Sequence, residues 1–127
     1  MHICLDVDDT ITYAPGFFAN LCERFAAARV TIVTFRTDMA QTKEYLDSVG
    51  VRYDQVVVST DLQHGRIASE SLHEWKANFV NRLRPDIFFE DMPEVVALID
   101  PEILVFMPCD EVIREWICSQ IKQKNAT

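Results

Sequence analysis

A three-layer α/β/α fold around a five-stranded parallel sheet is what this sequence predicts, and three observations predict it. Five short apolar runs, β-branched or aromatic, recur along the chain. Their nearly continuous apolar character suits strands buried on both faces. Segments of helical period fill the gaps between them. The polar residues with chemical capability fall at the ends of the runs, where a parallel sheet gathers its ligand-binding carboxyl edge.

The elements follow in order. Residues 2–7 open the chain as a strand carrying Ile3-Cys4-Leu5. Phe17, Phe18, Leu21, Cys22 and Phe25 repeat at helical spacing behind it. Residues 30–35 form the second strand, and Asp38 is placed to cap a helix bearing Thr42, Tyr45, Leu46 and Val49 that stops at Gly50. The third strand is 55–59. Residues 60–71, with His64, Gly65 and Arg66, form the longest irregular piece and are expected near the functional edge. Leu72, Trp75, Phe79, Val80 and Leu83 make the next helical stripe, leading into a strand at 86–90. Pro93 suits the first turn of a short helix that Asp100-Pro101 ends. A last strand at 103–107 precedes a helix capped by Asp110, with Val112, Ile113, Trp116, Ile117 and Ile121 on its stripe. Trp75 and Trp116 both read as core. Alternating β and α units imply a Rossmann-like sheet with right-handed crossovers.

At 127 residues, 1–127 makes one domain. Half of the chain is hydrophobic (49%) and a quarter charged (25%), a globular balance rather than a disordered one. No apolar stretch is long enough to span a bilayer, and no secretion signal opens the chain, so no membrane partner is expected. Cys4, Cys22, Cys109 and Cys118 show neither a CxxC pair nor zinc-type spacing. Buried free thiols are expected at Cys4, Cys22 and Cys118, which favours a cytoplasmic location. A net charge of −8 argues against extended nucleic-acid binding, because backbone-phosphate neutralisation dominates that affinity.

Asp6-Val7-Asp8-Asp9-Thr10 follows the first apolar run directly. Carboxylates two apart on a strand share a side, so Asp6 and Asp8 are expected to share one small site. Unpaired charges ~4 Å apart repel by ~4 kcal/mol at an effective dielectric near 20. The cluster therefore calls for a cation and a basic side chain from elsewhere. The second strand ends in Thr34 and Arg36, the fourth in Glu90-Asp91, and Lys76 lies early in the helix before the fourth. Oxygen ligands without imidazole or thiolate favour a hard cation, Mg²⁺ above all. A carboxylate beside such an ion can act as a nucleophile towards phosphorus.

The order and spacing of these residues resemble the haloacid dehalogenase (HAD) superfamily of phosphohydrolases. Asp6-Val7-Asp8-Asp9-Thr10 is similar to its first motif, D-x-D-x-T after an apolar strand, and Thr34 to its second. Lys76 stands for its lysine and Glu90-Asp91 for its acidic pair, so the resemblance runs from residue 2 to about 108. It implies a phosphatase in which Asp6 attacks phosphorus and becomes an aspartyl phosphate. Asp8 would protonate the leaving group and then activate water. Asp6, the Asp8 main-chain carbonyl and Asp91 would hold Mg²⁺, with Glu90 ligating directly or through water. Thr34 and Lys76 would bind the phosphoryl oxygens.

Residue 9 is Asp where many relatives have Gly, and only 19 residues separate Thr10 from Val30. That leaves no room for a large cap domain there, nor does 59–86 hold one. An open site of this kind suits macromolecular ends or needs a homo-oligomer to supply a lid. Thr34-Phe35-Arg36 further resembles the T-x-R of nucleotidase-like and polynucleotide 3′-phosphatase members, which implies substrate binding by Arg36 and a phosphorylated nucleotide or nucleic-acid end as substrate. Two other classes stand against the enzyme. A receiver-like signalling module would accept phosphate on Asp61, and a catalytically inactive protein would merely bind phosphate.

Overall fold

The computed structural model describes residues 1–108 and 111–125, with the backbone alone at 111–113. Strand β1 (His2–Leu5) is followed by a tight turn through Val7–Ile11 and helix α1 (Pro15–Arg24), which has Pro15 in its first turn. Strand β2 (Arg29–Thr34) leads to α2 (Met39–Ser48), where the Asp38 carboxylate accepts from the Gln41 amide at 3.0 Å. Gly50, at φ 76°, takes the left-handed position that ends this helix. Then come β3 (Gln55–Val58) and α3 (Leu72–Leu83), started by a reciprocal capping box between Ser71 and Glu74. Strand β4 (Ile87–Phe89), the one-turn α4 (Pro93–Val96), β5 (Leu104–Phe106) and α5 (Glu111–Asn125) complete the chain. The predicted Asp110 cap and Cys109 lie outside the described residues, as do the side chains of Val112 and Ile113.

All five strands are parallel in the order β3-β2-β1-β4-β5, with Ile3 opposite both Val30 and Ile87. This is the predicted Rossmann-like fold. The chain winds outward from β1 to β3, then returns to lay β4 and β5 on the other side of β1. The switch of direction opens a crevice between the carboxyl ends of β1 and β4, where open α/β sheets hold their ligands.

Alternation along each strand divides the core between the two faces. Ile3, Leu5, Val30, Ile32, Val56 and Val58 meet Phe18 and Cys22 of α1 and Leu46 of α2. Cys4, Val33, Val57 and Phe88 meet Trp75, Phe79 and Val80 of α3 and Val95 of α4. Trp75 is buried as predicted. Trp116 is not: it is 63% exposed, and Cys118 is an exposed thiol where a buried one was predicted. Both lie on α5, where every described side chain, from 114 to 125, is exposed.

One arginine ties the lower end of the fold together. Arg52 Nη2 donates to the carbonyls of Cys22, Phe25 and Ala28 at 3.0–3.2 Å, and Nη1 donates to Asp54. Asp54 in turn accepts from the Val30 amide at 2.7 Å. These carbonyls close α1 and enter β2, and a helix C-terminus favours a cation. Arg52→Met is expected to lower unfolding stability by about 2 kcal/mol, since it strands three acceptors. Urea denaturation followed by far-UV circular dichroism measures this, and an unchanged midpoint would refute the role.

Candidate functional site

The first strand stops at Leu5, two residues short of the predicted end, and this decides where each carboxylate goes. Asp6 is extended and buried, and its amide donates to the Phe89 carbonyl at 3.1 Å, as if continuing the ladder. The chain then leaves the sheet. Asp9 adopts φ 61°, a left-handed conformation that Asp tolerates better than most residues, and its amide donates to Thr12 Oγ1. The period-two expectation for Asp6 and Asp8 does not carry past Leu5. Asp6 faces the crevice, whereas the half-exposed Asp8 carboxylate accepts from Nε and Nη2 of Arg36 at 2.8–3.2 Å. The Arg36 guanidinium lies 5.1 Å from the Tyr45 ring centre. Its charge is favoured first by the Asp8 hydrogen bonds, against a smaller cost of burial.

Around Asp6 the elements converge as the doubly wound order requires. Lys76, in the second turn of α3, is 1% exposed and places Nζ 2.5 Å from Asp6 Oδ1. The same ammonium lies 3.2 Å from both oxygens of Glu90, which is 0% exposed at the end of β4. Phe35 covers it, with Nζ 4.6 Å from the ring centre. Thr10 Oγ1 donates to Asp6 Oδ2 at 2.9 Å and also lies 3.4 Å from Asp91 Oδ1. Asp6, Glu90 and Asp91 thus offer oxygens that all lie within 4.8 Å of one another.

Three carboxylates crowd one ammonium, and the imbalance raises the proton affinities of Glu90 and Asp91. Burial pushes Glu90 up to about 9, with Lys76 pulling the other way and Asp6 adding to the rise. Burial and the neighbouring Asp6 push Asp91 up to about 7. Burial opposes the charge on Lys76, but Asp6 and Glu90 outweigh it and hold the ammonium above its ordinary range. With all four ionised the cluster carries two surplus negative charges, the amount a divalent cation cancels. The donor set is oxygen only, and opposite ligands of a hard cation stand about 4–5 Å apart, so these residues fit such an ion. Glu90 is fully buried with both oxygens on Lys76, whereas Asp6 Oδ2 and Asp91 Oδ1 share only the Thr10 hydroxyl, so Asp6 and Asp91 are the carboxylates placed to bind directly.

The other predicted residues fall nearby with different roles. Thr34 is buried, and its hydroxyl accepts from the Arg36 amide at 3.1 Å, which turns the chain between the two residues. Thr60 Oγ1 donates to the Thr37 carbonyl and Ser59 Oγ to that of Phe35, so the 60–71 loop is fastened to the loop bearing Arg36. Gly65 closes this loop: a Cβ there would stand 2.2 Å from the Asp61 carbonyl oxygen. Asp61 accepts from the amides of His64 and Gln63, and those bonds hold its carboxyl below the usual range. Asp61 thus holds the turn through Oδ1. Sequence reasoning missed Phe35 as the cover of Lys76 and Tyr45 as the platform under Arg36. Only Phe35's position between two candidate residues signalled it, and nothing singled out Tyr45.

The molecule is therefore a doubly wound, all-parallel α/β protein with an acidic cluster and a buried lysine at its topological switch point. No family model matches the chain, and no curated protein matches it.

Proposed function

We propose that this protein is a Mg²⁺-dependent phosphomonoester hydrolase acting through an aspartyl phosphate on Asp6. One observation carries the proposal. A buried carboxylate at the end of the central strand is held between an ammonium and a hydroxyl, with two more carboxylates beside it on the neighbouring strand. Resemblance to the haloacid dehalogenase pattern supports the same reading. So does Asp9, whose left-handed backbone explains why Gly is common there in that pattern and why Asp serves.

Asp6 and Asp91 would hold the ion, with Glu90 behind them on Lys76. The Asp8 carboxylate is on Arg36, so any share Asp8 has in the ion falls to its main-chain carbonyl. When bound, the cation neutralises phosphate and cluster charge, so that an anionic nucleophile and an anionic ester can meet. An Asp6 oxygen forms a bond to phosphorus while the ester P–O bond breaks. Once the substrate draws Arg36 away, Asp8, at the open side of the turn, takes up a proton from solvent and passes it to the departing oxygen. Asp8 then takes a proton from water, whose oxygen displaces Asp6 from phosphorus and releases inorganic phosphate. Lys76 holds Asp6 in place throughout, and Thr34 and Arg36 are the groups set to receive phosphoryl oxygens.

The test is a phosphate-release screen with Mg²⁺ over an aryl phosphate, nucleotides, sugar phosphates, phosphopeptides and 3′-phosphorylated oligonucleotides. Hydrolysis of at least one class is expected, and silence across all of them with the folded protein sinks the proposal. Mg²⁺ is also expected to raise the Tm, and Asp91→Asn to weaken its binding at least about tenfold by removing a charged ligand. Thermal shift and isothermal titration calorimetry measure this. Equal Mg²⁺ affinity in the variant would remove Asp91 from the metal set.

A further inference from the structure

Strand β5 is covered on one face only. Val105 packs among Val95, Ile99 and Ile103, on the side of α3 and α4. On the other side Leu104 and Phe106 are 54% and 51% exposed, next to an equally exposed Phe17 of α1. A groove of about 290 Å³ opens there, lined by Tyr13, Phe17, Phe89 and Phe106 among others. A buried parallel sheet needs helices on both faces, and among the described residues this side of β5 stays half exposed. The helix that should supply one stands off: residues 114–125 of α5 are all exposed, Trp116, Ile117 and Ile121 among them.

We propose that the protein forms a symmetric dimer in which α5 of each copy lies on the bare β5–α1 face of the other. Two unmated apolar surfaces on one chain are both satisfied by a second copy, and a reciprocal exchange closes the assembly at two chains. The helix is long enough to cover that face: 15 residues at 1.5 Å each span about 22 Å. Phe17, Leu104, Phe106, Trp116, Ile117 and Ile121 each retain roughly 100 Å², about half of a large side chain's burial. Two reciprocal seats then remove about 1,200 Å², the size at which specific interfaces become stable. Charge agrees. Arg114, Lys122 and Lys124 against Glu111 and Glu115 give α5 a net +1, while the whole chain is −8 and the remainder therefore −9.

Light scattering coupled to gel filtration tests this on the full chain. At roughly 100 μM, well above a micromolar Kd, the mass is expected to be twice the 14.6 kDa of one chain. Trp116→Glu and Phe17→Glu, both at exposed positions, are each expected to give folded monomers by circular dichroism. Mixing the two variants is expected to restore a weaker dimer, because the unaltered α5 of one finds the unaltered face of the other. A monomeric wild type overturns the proposal, and a blue-shifted Trp116 emission in that monomer assigns the groove to the chain's own helix. Single variants that stay dimeric, or a mixture that stays monomeric, equally overturn the exchange.

Discussion

Asp6→Asn is expected to cut phosphomonoester turnover by at least about 10³-fold while the protein stays folded. A carboxamide is no nucleophile towards phosphorus, so the covalent route closes rather than slows. The fold has reason to survive. The amide oxygen can still accept from Lys76 or Thr10, Lys76 keeps both oxygens of Glu90, and one of three crowded negative charges is gone. Phosphate release with Mg²⁺ and an aryl phosphate gives the rate, and circular dichroism with a thermal melt confirms folding. Near-wild-type turnover in a folded Asp6→Asn protein would remove Asp6 from the role of nucleophile.

Lys76→Met is expected to cost roughly 3–5 kcal/mol of stability, along with activity. Its ammonium is the cation inside the cluster, and removing one partner of a buried ion pair leaves the other charge desolvated and uncompensated. Methionine fills a similar volume, so packing loss contributes little. Glu90→Gln in the same chain is expected to restore more than half of the lost stability, because a neutral amide needs neither an ammonium nor an added proton to stay buried. The coupling follows from urea unfolding of the two single variants and the double variant. Strict additivity would show that Lys76 and Glu90 do not act as a pair.

Much of this was readable from sequence because the sheet is buried on both faces. Apolar runs flanked by a capping residue such as Asp38 and a stop such as Gly50 leave few alternative arrangements, and once the strands are parallel their ends must meet. Asp6, Lys76, Glu90 and Asp91 came together for that reason. The direction of Asp8 was less legible, since period two holds only while the chain remains a strand, and β1 yields to a turn at Asp6. Helical spacing puts Lys76 on the apolar stripe, four residues from both Leu72 and Val80, but does not show what would accept its charge there. The ammonium is drawn inward by acids on other strands. The exposure of Trp116 was illegible for a further reason: helical period shows that a stripe wants a partner but not which molecule provides it.

Strand β1 pairs with β2 on one edge and with β4 on the other, and Ile3 waits for Ile87. During synthesis β1 thus gains β2 early and waits through α2, β3 and α3 for its second neighbour. Until residues near 90 emerge, its open edge and the acid that follows it must be shielded by early partners alone. The centre of the sheet closes only after β2, β3 and α3 have all been made.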